Sequence, residues 1–163
     1  MARVSADQVF ELVSGNKLTV EQRAIVEESS LHEPTLVIAG AGSGKTELMM
    51  VRILYLVANS FVRPDQVLGL TFTKKAAAEL SSRVQQGLIQ LRESNLWPQD
   101  LEEDFLPAKI VTYNSFGNEI FRSLAPEIGF ESDARLITDA ASTALAKELL
   151  DSASLSEHPA LED

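Results

Sequence analysis

At 163 residues, with 45% hydrophobic content and no cysteine, the chain can bury a core and has no disulfide framework; its two histidines, His32 and His158, leave no Cys/His metal cluster. No run approaches about 18 uninterrupted apolar residues and the amino end lacks a basic-then-apolar signal layout, so a cytoplasmic protein without membrane contact is the expectation. The net charge of -10 argues against a nucleic-acid partner only as a total: residues 1–92 hold ten Lys/Arg and nine Asp/Glu, whereas residues 93–163 hold four and fifteen.

The first helical signal runs from Thr19 to Ser29, with Thr19 as a cap and Gln22 three residues on in the capping-box position. Thr35-Leu36-Val37-Ile38-Ala39 then reads as a first strand, and residues 46–58, apolar around much of their girth, as a helix packed against a sheet. Arg63-Pro64-Asp65 breaks the chain before a second strand over 67–72. Ala77, Leu80, Val84, Leu88 and Leu91 recur at three- or four-residue steps and predict a long amphipathic helix over 74–92.

The acidic run Asp100-Leu101-Glu102-Glu103-Asp104 reads as a solvated loop, followed by a third strand over 109–113 and a helix over 115–124. Beyond Pro126 come charged loop, a helix over 139–150 and a polar tail. Strands alternating with helices predict an α/β fold whose parallel sheet is built from right-handed βαβ units.

Between the first strand and its helix stands Ala39-Gly40-Ala41-Gly42-Ser43-Gly44-Lys45-Thr46. A loop that aims several backbone N–H groups at one phosphate needs φ/ψ values and a close approach that a Cβ obstructs, which glycines supply. Lys45 adds a point charge for the β/γ-phosphates and Thr46 a hydroxyl for Mg2+. The pattern G-x-x-x-x-G-K-[ST] is met except at its first glycine, replaced by Ala39. A plain glycine-rich turn is the alternative, and the strand-then-helix context argues against it.

Ligands of such folds gather at the carboxyl ends of parallel strands. Leaving the second strand are Phe72-Thr73-Lys74-Lys75, with Thr73 as N-cap and two lysines in a first helical turn, where the macrodipole disfavours cations by about 0.3 to 1 kcal/mol each. A phosphate seated there would account for both lysines; a solvated face is the plainer reading. Phe72 either stacks on a base or fills the core. The third strand ends in Thr112-Tyr113-Asn114-Ser115-Phe116-Gly117, again a hydroxyl-capped helix with aromatics around it. Phosphates held by caps and bases laid on rings would be the chemistry of single-stranded nucleic acid.

These pieces, in this order, resemble the N-terminal part of a superfamily 1 DNA helicase of the UvrD/Rep/PcrA type, with the actinobacterial AdnB-like members nearest in character. Leu18 to Gln22 resembles the family's Q motif, Ala39 to Thr46 its phosphate loop, Leu70 to Ala77 its motif Ia and Val111 to Gly117 its motif Ib. The resemblance implies a P-loop NTPase (RecA-like) sheet with flanking helices, incomplete over 1–124, and the start of an inserted helical subdomain over 125–163. It further implies that Gln22 reads adenine, that Ala41, Gly42, Ser43, Gly44, Lys45 and Thr46 hold ATP and Mg2+, with Lys45 and Thr46 catalytic and Thr46 on the metal, and that Phe72, Thr73, Lys75, Tyr113, Ser115 and Phe116 line a single-stranded DNA track.

Thr19, Glu47, Lys74 and Asn114 depart from the usual residues of that pattern. The family's acidic Asp-Glu pair does not occur after any apolar strand; Asp139 follows only two apolar residues and reads as an N-cap. Arginine fingers on a second RecA-like domain are absent as well, and losing such groups removes factors of roughly 10^3 to 10^5, so the piece alone is expected to be a poor ATPase. The implied parent is an ATP-dependent helicase or helicase-nuclease moving 3' to 5' in DNA repair or recombination, partnered by the rest of its chain and by a second helicase-nuclease subunit. A small kinase and a non-catalytic nucleotide-binding module are the competing readings.

Overall fold

A computed structural model describes residues 2–28, 33–40, 42–101, 106–131 and 137–152. The described chain falls into two compact units, Met1–Gly117 and Asn118–Asp163. The first contains α1 (Ala6–Ser14), α2 (Val20–Val26), α3 (Lys45–Ala58), β1 (Leu68–Thr71), α4 (Lys74–Glu93) and β2 (Lys109–Thr112). α5 (Tyr113–Leu124) begins in it and α6 (Asp139–Ser152) lies in the second.

α3 is the hub of the first unit. Val51, Leu54, Val57 and Ala58 are fully buried, and α1, α2 and α4 all pack on this helix. The stripe read from α4 is buried throughout, at Ala77, Leu80, Val84, Leu88 and Leu91, while α1 contributes Val9 and Phe10 and α2 contributes Val26. Burying one such aliphatic side chain is worth about 1.5 to 3 kcal/mol, so the unit is held chiefly by helix on helix. Of the sheet, Ile110 alone joins the core.

α1 went unread in the sequence although its signature was present: Ser5 and Gln8 form a reciprocal capping box, and Gly15 closes the helix at φ 69°. Asn59 ties its entry to the far end of α3, accepting from Val4 N at 2.8 Å and donating to Val4 O at 3.0 Å.

β1 and β2 pair in parallel, Leu68 opposite Lys109 and Thr71 opposite Thr112, with α4 as the crossover. Among the described residues these two strands are the whole sheet. The expected first strand at 35–39 is therefore corrected: residues 33–40 form no strand, and Leu36 and Ile38 are 84% and 90% exposed. A β-prone run becomes a strand only with a partner for its N–H and C=O groups, and none of the described segments supplies one.

In the second unit, Gly129 (φ 82°) closes a short 3-10 turn over Ala125–Ile128 and brings the Phe121 and Phe130 rings to 5.9 Å. α6 has no buried residue, with Leu145, Leu149 and Leu150 exposed. No helix among the described residues is long and apolar enough to cross a membrane.

Where α3 and α4 meet, a Cβ on Gly87 would stand 2.5 Å from Leu54 Cδ1 and 3.3 Å from its Cγ, and Leu54 is fully buried. Alanine would gain about 1 kcal/mol in helix propensity but lose about 1 to 3 kcal/mol to overpacking. Gly87→Ala is expected to lower the urea midpoint by a net loss of about 1 kcal/mol, and to become neutral or stabilising in a Leu54→Ala background, where the added methyl has room.

Candidate functional site

The phosphate-loop segment turns on two left-handed glycines, Gly42 (φ 75°) and Gly44 (φ 80°), a conformation that costs other residues about 1 to 2 kcal/mol each. Ala41 lies outside the described residues. Gly44 is the N-cap of α3 and has no side chain to cap with, so the first-turn N–H groups from Lys45 onward point out of the helix without an intrahelical acceptor. Aligned with the helix dipole, those donors are of the kind that can receive an anion.

The loop is closed on itself by its own polar groups. Ser43 Oγ donates to Gly40 O at 2.8 Å, and the Lys45 ammonium donates to Ala39 O at 2.9 Å and to Gly40 O. Thr46 stands exposed beside them. A hard hydroxyl oxygen, an ammonium and a row of amides is a donor set that fits a nucleotide phosphate with Mg2+.

Gln22 occupies the position that the capping-box pattern predicts. Its Oε1 accepts from Thr19 N at 3.0 Å while its own N–H donates to Thr19 Oγ1 at 3.2 Å. The amide oxygen is thus engaged, which leaves the NH2 group as the end that could address a base. Glu21, beside it, is held below the usual carboxylate range by its own backbone N–H and by the Thr19 hydroxyl.

One positioning residue had no signal in the sequence. Arg52, amid the apolar stretch from Leu48 to Ala58 of α3, donates to the carbonyls of Ile25 (2.6 Å), Val26 (3.3 Å) and Glu28 (3.1 Å). Ile25 and Val26 are last-turn residues of α2 and Glu28 lies just past its end, so one guanidinium fastens the helix bearing Gln22 to the helix bearing Lys45.

At the two strand ends the register does the assembling. Because Thr71 pairs with Thr112, the next residues, Phe72 and Tyr113, emerge side by side, with ring centroids 5.6 Å apart and planes at 32°. Phe72 is 92% exposed and Tyr113 55%, which decides between the two readings of Phe72: it does not fill the core. Two solvent-facing rings form a surface on which bases can stack.

Thr73 caps α4 by accepting from Ala76 N at 3.1 Å, and Lys74 and Lys75 follow in the first turn, both exposed. α5 starts two residues before its expected beginning, because Thr112 takes the capping role: its Oγ1 accepts from Ser115 N at 3.1 Å and lies 2.8 Å from Ser115 Oγ. Phe116 is half-buried under the Lys109 ammonium, 5.6 Å from its ring centroid, which occupies one face of that ring. The structure therefore brings Phe72, Thr73, Lys74, Lys75 and Tyr113 to the ends of the two strands, with Phe116 sharing its ring with a cation.

The family model described as "UvrD/REP helicase N-terminal domain" matches residues 18–162. A protein named "ATP-dependent DNA helicase PcrA" from Staphylococcus aureus is 33% identical over 135 residues, which are 83% of this chain and 16% of that protein. Another, named "ATP-dependent DNA helicase UvrD1", from Mycobacterium bovis, is 46% identical over 77 residues, or 47% of this chain and 10% of the relative. The chain thus spans about a sixth or less of the length of these relatives.

The cap at α2 generates a direct test. Thr19→Ala removes one partner of the reciprocal pair and is expected to cost about 1 kcal/mol in chemical unfolding, whereas Thr19→Ser, which keeps the oxygen, should cost a few tenths at most.

Proposed function

Because this chain belongs to the UvrD/REP helicase N-terminal domain family, we propose that it is the amino-terminal ATP-binding part of an ATP-dependent DNA helicase that translocates 3' to 5' on single-stranded DNA in the cytoplasm, serving repair or recombination. Residues 1–124 are read as the first part of a RecA-like domain and 125–163 as the start of a helical subdomain inserted in it. The observation that carries the proposal is the uncapped amino end of α3, opened by left-handed Gly42 and Gly44 and followed at once by Lys45 and Thr46.

In this reading the amides of Gly42, Ser43, Gly44 and Lys45, with Ala41 beside them, wrap the β-phosphate. Lys45 exchanges its two backbone carbonyls for phosphate oxygens, and the Thr46 hydroxyl holds Mg2+. The metal, when bound there, would supply positive charge against the negative charge that builds up on transfer. Gln22 donates its NH2 group to a ring nitrogen of adenine while its oxygen keeps the cap. Phe72 and Tyr113 stack on bases, and Thr73, Lys75 and Ser115 meet the phosphates between them, with Phe116 behind. This portion binds and orients nucleotide and strand; the water-orienting carboxylates and arginine fingers belong to the rest of the parent chain, so the portion alone hydrolyses ATP poorly. No observation supports a second helicase-nuclease subunit, and it forms no part of the proposal.

In the full natural chain, ATP hydrolysis stimulated by single-stranded DNA is expected, and Lys45→Ala should reduce it by about two orders of magnitude or more. Hydrolysis indifferent to DNA and to Lys45 would remove the helicase assignment; phosphotransfer to a small acceptor would put a kinase in its place. For the strand track, Phe72→Ala and Tyr113→Ala should each weaken oligonucleotide binding by about 1 to 3 kcal/mol, read by fluorescence anisotropy at fixed salt.

A further inference from the structure

The phosphate seat has an acidic neighbour that its motif does not call for. Glu47, in the first turn of α3, places Oε2 3.8 Å from the position a Cβ would take on Gly44, so its carboxylate lies against the loop that would receive the phosphates. It is half-buried and, among the described residues, in no ion pair. Lys45 holds Ala39 O and Gly40 O, and Arg83, which shares a cavity with Glu47, Met50, Gln86 and Gln90, is bound to Glu79 at 2.7 Å.

A carboxylate in the first turn of α3 is favoured by the helix dipole. It is also a fixed negative charge that any incoming phosphate must approach. Resting on the nucleotide reading above, we propose that Glu47 is a selectivity residue that makes the seat favour metal-complexed nucleoside triphosphate over the metal-free form and over simple anions. The two forms carry the same hydrogen-bonding groups and differ by two units of charge. At roughly 6 Å in a water-like dielectric, repulsion between one carboxylate and two extra charges corresponds to a factor of about ten in affinity. Discrimination follows from charge alone, without a contact to the metal.

The test is equilibrium binding of ATP to the full natural chain by titration calorimetry, in excess Mg2+ and in EDTA, for wild type, Glu47→Gln, Glu47→Arg and Glu47→Asp. Glu47→Gln should tighten metal-free ATP about tenfold more than it tightens Mg-ATP, which removes that part of the wild-type preference; Glu47→Arg should narrow it further, and Glu47→Asp should retain it. Raising ionic strength should shrink the difference between wild type and Glu47→Gln. Equal changes in both forms, or none, overturn the selectivity role and leave the nucleotide site standing. Absence of binding by every variant, wild type included, overturns the site and this inference together.

Discussion

The constraint on which this structure rests is that α3 must be enclosed along most of its length and open at its first turn. From Met50 to Ala58 nearly every side chain is buried, with three helices packed on it. Burial of that order fixes the helix axis, and so fixes where the uncapped N–H groups at Lys45 and Thr46 point. A seat made of backbone amides has no side-chain rotamers to adjust; its geometry is only as good as the packing several turns away. Gly44 contributes by offering the helix start a left-handed residue and nothing that would satisfy those donors internally.

The same logic joins the two halves of the candidate site. Arg52 reaches from the buried helix to the last carbonyls of α2, setting Gln22 in relation to Lys45, while β1 and β2 bring Phe72 and Tyr113 together by register alone. Neither arrangement needs residues near in sequence. In both, a polar or aromatic group is carried to its position by an element whose own reason to exist is burial or ladder pairing.

What could be read from residues alone follows the same division. α4 announced itself, since a stripe at three- and four-residue steps has one physical meaning when the flanks are polar, and all five stripe residues are buried. The strands at Leu68–Thr71 and Lys109–Thr112 emerged within a residue or two. Thr35 to Ala39 looked equally strand-like, but β structure depends on a partner that local sequence does not contain, and the described chain supplies none. The phosphate loop was legible because its spacing expresses a backbone requirement. Arg52 was not, because a guanidinium that serves another helix's carbonyls leaves no periodic mark, and Glu47 was visible only as a departure from a pattern until its distance from Gly44 gave it a physical role. The early start of α5 was hidden for a related reason: Thr112 and Ser115 are both plausible caps, and the sheet decides between them by burying Thr112.

Gly87 carries a mechanical consequence. With no Cβ between them, α3 and α4 touch at a point where Leu54 has no slack, and a joint without slack transmits displacement instead of absorbing it. α3 begins at Lys45, and α4 begins at the lysines beside the paired rings. At this contact nothing but the Gly87 backbone faces Leu54, so the spacing of the two helix axes is fixed there, and with it the separation of their amino ends.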